Sequence, residues 1–157
     1  MTDEKNILDE EHEELIEMLG EVASEQTEVG RLFSEVFRIF RHHLDKENQT
    51  VAPLLAYLKE RLGDYRAKDK EGLDIARAKF NNIYPEMMRE HEEMAKLIGM
   101  AQNSLKDKPD KLASELADHL LDHVDLEEEL LYPAAFASGD LIEFELKLPG
   151  DKNKVLS

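Results

Sequence analysis

The sequence predicts an all-α protein, an up-down-up-down four-helix bundle, and three observations predict it. Apolar residues recur at steps of three and four along four long stretches, the spacing that gathers them on one face of a helix. Glycine is scarce, seven in 157 residues, while 41% of residues are hydrophobic and 36% charged, a balance that supplies both a core and well-solvated outer faces. The segments between the stretches are short, which sets successive long helices antiparallel. A chain of this length buries roughly 68–70% of its unfolded surface, enough for a substantial core.

The first helix carries Leu8, His12, Leu15, Leu19 and Val22 on one stripe. The second runs from about residue 29 to 62, with Leu32, Val36, Ile39, Phe40, His43, Glu47, Val51 and Leu54 in line. Gly63-Asp64 closes it. Charged residues 64–72 read as a connector. The third helix spans about 73–106 through Tyr84, Met87, His91, Met94 and Ile98, and Lys108-Pro109-Asp110 separates it from the fourth. That last one lines up Leu112, Leu116, His119, His123, Glu127 and Leu130. Pro53, Pro85 and Pro133 lie in or near these stripes, where a missing backbone N–H predicts kinks or early ends. Residues 1–137 are expected to form the bundle. Residues 138–157 are expected to form a C-terminal extension, with 141–146 a short helix or strand and 150–157 a loose tail.

Composition excludes several classes of function. The net charge of −16, from 36 acidic and 20 basic residues, repels phosphate backbones and anionic membranes. Without cysteine there is no disulfide, thiolate ligand or thiol nucleophile. No run of about 18 apolar residues spans a bilayer, and the N-terminal residues are acidic rather than signal-like. A cytoplasmic protein is expected, with no nucleic-acid or membrane partner and with any protein partner unknown.

Its chemistry is written twice. Glu11-His12-Glu13-Glu14 returns as Glu90-His91-Glu92-Glu93, 79 residues later. His43-x3-Glu47-x5-Pro53 returns as His123-x3-Glu127-x5-Pro133, 80 residues later. The histidines and the last glutamates of these motifs fall on apolar stripes. An ionised carboxylate buried there costs several kcal/mol without a cation or strong donors, and the lysines and arginines lie mostly on other faces. Residues four apart on a helix have Cβ atoms roughly 5–6 Å apart, so each His-x3-Glu can reach one metal or one metal pair. A lone histidine on such a stripe is ordinarily a hydrogen-bonded core residue, but six candidates recurring in register point to a metal site: His12, His43, Glu47, His91, His123 and Glu127. Four imidazoles are too many nitrogens for calcium or magnesium, and six ligands too many for one tetrahedral zinc. Imidazole with carboxylate suits a pair of iron ions, with manganese or zinc the alternatives. Glu13-Glu14 and Glu92-Glu93 read as solvated faces, and Glu127-Glu128-Glu129 as one inward and two outward residues. His42 reads as surface.

The ordered set His12, His43-x3-Glu47, His91, His123-x3-Glu127 resembles the hemerythrin-like, cation-binding HHE domain family over about residues 5–136. The resemblance implies a hemerythrin-like bundle and a non-haem di-iron site, with the two glutamates bridging and the histidines terminal. Oxygen-carrying members place a second histidine four residues after the one on the third helix, where this chain has Ala95, and end in His-x4-Asp, where it has Glu128. His119, one turn before His123 and matched in the repeat by Ile39, reads as either a replacement fifth imidazole or a histidine bonded to a carboxylate, behind the ligands or in the core.

The functional expectation is a di-iron protein that binds or senses oxygen or a related small oxidant, or handles iron, with Phe40, Leu44, Met94 and Leu120 drying its pocket. The alternatives are a di-iron enzyme consuming peroxide or nitric oxide, or a factor assisting repair of iron centres; whether the chain is an enzyme is left open. A purely structural helical interaction module is the non-metal alternative. A ferritin-like site would need Glu-x2-His, and no candidate histidine has glutamate three residues before it.

Overall fold

The computed structural model describes residues 7–64 and 70–148, and every regular element among them is helical. They are α1 (Ile7–Ala23), α2 (Glu28–Gln49), α3 (Val51–Asp64), α4 (Lys70–Leu105), α5 (Lys111–Leu126), a π turn over Glu127–Leu131, and α6 (Tyr132–Lys147). The four predicted stretches are thus α1, α2 with α3, α4, and α5 through α6. The expectations for residues 65–69 and 150–157 lie outside the described residues, whereas residues 138–147 are part of α6.

The long second and fourth stretches are each interrupted shortly before their proline. Pro53 has no N–H for the carbonyl of Gln49, so an unbroken helix would leave that carbonyl unsatisfied and clash with the proline ring. The chain breaks at Thr50 instead: its N–H bonds Glu47 O at 3.2 Å, its hydroxyl bonds Lys46 O at 2.7 Å, and Pro53 falls in the first turn of α3. Ahead of Pro133 the interruption is the π turn, and the proline sits in the first turn of α6. Pro85 behaves differently, since α4 continues through it.

Starts are set by caps. Thr27 Oγ1 accepts the Gly30 N–H at 2.9 Å to open α2, and Asp110 Oδ1 accepts the Ala113 N–H at 3.2 Å to open α5. At residue 30 only glycine fits, because a Cβ there would lie 2.0 Å from the Glu25 carbonyl oxygen.

The contacts divide the chain into two compact units, Met1–His43 with Met88–Asp125, and Leu44–Met87 with Leu126–Ser157. The core of the first holds Leu15, Leu19 and Val22 of α1, Phe33, Val36 and Phe40 of α2, Met94 and Ile98 of α4, and Leu116 and Leu120 of α5. Each such side chain contributes roughly 1.5–3 kcal/mol on burial. In the second unit α3 packs on α6, burying Leu54, Tyr57, Tyr132, Ala135 and Ile142 together with Phe80 and Met87 of α4. There the stem of Arg77 covers Gly139, and its guanidinium reaches Asp74 at 2.7 Å and Glu143 at 4.0 Å.

Candidate metal centre

The four histidines of the repeat lie in the first unit, one each on α1, α2, α4 and α5, and all are buried. They form two couples. His12 Nε2 is 3.2 Å from His123 Nε2, and His43 Nε2 is 3.0 Å from His91 Nε2. The other ring nitrogen of one member of each couple is anchored: His43 Nδ1 donates to Glu90 Oε1 at 2.9 Å, and His123 Nδ1 donates to Glu11 Oε1 at 2.9 Å. An ionised carboxylate only accepts, so Nδ1 carries the proton, and the neutral ring then has its lone pair at Nε2, facing the second histidine.

Those separations are informative. With metal–nitrogen bonds of roughly 2.1 Å, two nitrogens on one ion stand about 3.0 Å apart at 90° and about 3.4 Å apart at the tetrahedral angle. Distances of 3.0 and 3.2 Å between ring nitrogens fit neighbouring ligands of one ion in each couple. Phe40 packs edge-on against both His12 and His123, with centroids 6.2 and 6.0 Å away, and dries that couple. Phe40, Leu44, Met94 and Leu120 are all buried.

The two glutamates lie in the second unit, 3% and 2% exposed, with carboxylate oxygens within 4.8 Å of one another. Tyr132 joins them. Its hydroxyl donates to Glu47 Oε2 at 2.7 Å and lies 3.3 Å from Glu127 Oε1. Burial first, and then the charges of Glu127 and Glu47, push the phenol pKa far up, so the hydroxyl keeps its proton. The ring is set in an aromatic cluster with Phe80, Tyr84 and Phe136.

Against a family model described as the hemerythrin HHE cation-binding domain, residues 5–135 match. The chain belongs to that family. No curated protein and no solved structure matches it. Membership accounts for an all-helical hemerythrin-like bundle and for binding of a metal cation, and the donor set fits such a cofactor: imidazole couples at ligand spacing and a buried carboxylate pair. Among the described residues no helix is long and apolar enough to cross a membrane.

Both readings of His119 are corrected, because it is exposed. At about 100° per residue, the buried set of α5, namely Ala113, Leu116, Ala117, Leu120 and His123, spreads to one side of His123. His119 falls about 40° beyond it on the other side. A step of four matches a stripe in the sequence, yet His123 sits at the stripe's edge. His42 is exposed, as are Glu13, Glu14, Glu92 and Glu93, and Ala95 is half-buried. Of the acidic triplet, Glu127 is buried, Glu128 half-buried and Glu129 exposed.

Three residues at the site had no role in the sequence reading. Glu11 and Glu90 stand directly before His12 and His91 in both copies of the repeat, which was their signal. Tyr132 had a weaker one: it directly precedes the matched Pro133, where its counterpart 80 residues earlier is Ala52.

Proposed function

We propose that His12, His43, Glu47, His91, His123 and Glu127 close on one non-haem di-iron centre that binds or senses oxygen or a related small oxidant, or handles iron. The observation that carries this reading is the pair of histidine couples at 3.0 and 3.2 Å, each with one ring held by a carboxylate at its remote nitrogen. Helix continuity supports sharing of the glutamates, since Glu47 follows His43 by one turn within α2 and Glu127 follows His123 by four residues. Two couples ask for two ions, and two carboxylates are the number needed to bridge them.

Iron fits a set of four imidazoles and two carboxylates, with manganese or zinc as substitutes. A reduced iron pair, when bound, would supply electrons for reversible binding of oxygen or for reduction of peroxide, and an open coordination position for nitric oxide. The chain's own contributions are distinct. Glu11 and Glu90 fix ring orientation and raise imidazole basicity. Phe40, Met94 and Leu120 exclude water beside the histidines, and Tyr132 retains a proton beside the carboxylates. A cytoplasmic location belongs to the same proposal.

The test is anaerobic reconstitution with iron(II), iron analysis, and addition of oxygen, peroxide or nitric oxide while the optical spectrum is recorded. Two irons per chain and reversible oxygen bands are the expected outcome. Steady consumption of peroxide or nitric oxide would replace the carrier or sensor reading with an enzyme, and absence of iron uptake would sink both.

A further inference from the structure

Tyr132 is tied to the carboxylate pair at both of its ends. Its backbone N–H bonds the carbonyl of Glu127, the i→i−5 bond of the π turn, and its hydroxyl reaches Glu47 Oε2 at 2.7 Å and Glu127 Oε1 at 3.3 Å. In an uninterrupted α-helix residues five apart point about 140° away from each other. One extra residue in the turn stacks residue i+5 over residue i instead. The π turn is therefore what brings the side chains of Tyr132 and Glu127 together.

The phenol is also immobilised. Tyr132 is fully buried, with Phe80 and Tyr84 each at 5.8 Å between ring centroids, and Phe136 closes the cluster at 4.7 Å from Phe80 and 4.9 Å from Tyr84. A rigid ring with one hydroxyl proton cannot serve both carboxylates equally. The short bond fixes Glu47 through Oε2; the longer approach leaves Glu127 the more adaptable of the two.

We propose that Tyr132 is a positioning residue for the two glutamates, setting which oxygens they present and thereby securing the second of the two metal ions. This rests on the two-metal reading above. Either histidine couple offers two nitrogens to a first ion, so removal of Tyr132 leaves that ion in place. A second ion must bind beside the charge of the first and relies on both carboxylates turned between the two, so it is the one that loosens when the hydroxyl is gone.

The experiment is anaerobic titration of the metal-free chain with iron(II), and separately with zinc, in the unsubstituted protein, Tyr132→Phe and Tyr84→Phe. Tyr84→Phe removes a hydroxyl from the same aromatic cluster and serves as the control. In the unsubstituted protein and in Tyr84→Phe, two ions per chain are expected. In Tyr132→Phe the first affinity is expected unchanged and the second weakened by about 10–100-fold, the usual effect of losing a partner that orients a ligand. The charge-transfer bands of the oxidised iron form should shift in Tyr132→Phe alone. Tyr132→Met, which fills the space with a flexible apolar chain, should behave like Tyr132→Phe if the latter folds poorly. Two unweakened ions with unshifted bands in both variants would overturn the proposal, as would equal loss of both ions. Fewer than two ions in the unsubstituted protein would instead remove the two-metal reading on which it stands.

Discussion

The carboxylates that hold the histidines reach across the fold. Glu11, on α1, orients His123 of α5 rather than its neighbour His12; Glu90, on α4, orients His43 of α2 rather than His91. An outer carboxylate of this kind fixes the tautomer and strengthens the ligand, and its loss typically costs 10–100-fold in metal affinity. The two are not equally placed, since the Glu90 side chain is 12% exposed and that of Glu11 35%. Glu90→Ala is therefore expected to weaken metal binding by about 10–100-fold, and Glu11→Ala by less, because water can take over the Nδ1 proton at the more open position. Competition against a chromophoric chelator measures both; equal losses would show that exposure does not matter here. The repeat made the six candidates legible, because inward polar residues at matched spacing are visible in one dimension. The partners of His43 and His123 lie 47 and 112 residues away in sequence, and nothing in a spacing reveals which ring a glutamate reaches. His119 failed for a related reason: a periodic stripe does not disclose where its edge lies.

At the scale of elements, the informative places are the interruptions and the caps. Inserting one alanine after the exposed Glu129 should rotate everything that follows by about 100°. Tyr132 then leaves the carboxylates while the histidine couples stay intact, so the variant is expected to retain one ion and lose the second in the same titration. Retention of both would mean that the turn does not place Tyr132. Prolines 53 and 133 announced that the second and fourth helices would be disturbed. They did not announce how, because a break at Thr50 and a π turn both relieve the same missing N–H, and the choice rests on tertiary packing. The start of α5 adds a pH-dependent contact. A hydrogen bond between Glu25 and Asp110, with further backbone bonds, lowers the pKa of Asp110, and the same hydrogen bond together with burial raises that of Glu25. The depressed Asp110 contributes stability that is present above its unfolded pKa and lost as pH falls through its folded one. The raised Glu25 contributes stability that is present below its unfolded pKa and lost as pH rises through its folded one. At neutral pH both are charged and repel. Asp110→Asn keeps a capping acceptor and removes that repulsion, so melting temperature at pH 7 should rise slightly, and the gain should vanish as pH falls through the raised pKa of Glu25. A constant offset across that range would refute the coupling.

For the whole molecule, the question is what a chain with 36 acidic residues gains from burying two of them, Glu47 and Glu127, and four histidines besides. Four imidazoles and two carboxylates packed among Leu, Phe and Met side chains are costly unless a cation answers them. Loss of that cation should therefore be felt across the whole fold. A ligand that binds only the folded chain stabilises it by RT ln(1 + [L]/Kd), about 4 kcal/mol at a thousandfold excess over Kd. Tight metal binding should accordingly raise the melting temperature by several degrees or more, and a chelator should reverse the rise. His43→Ala or Glu47→Ala, measured with metal, should lose most of that increment. Compared instead in chelator, each is expected to be much nearer the unsubstituted chain, because a polar group without its cation adds little to the core. Added salt separates this effect from bulk charge: screening of the −16 net charge should raise the metal-free melting temperature smoothly, with no dependence on which ion is added. A melting temperature indifferent to iron, manganese, zinc and chelator alike would mean that these six residues form a polar core after all. The histidine couples would then be donor–acceptor pairs, with His12 and His91 giving their Nε2 protons to His123 and His43.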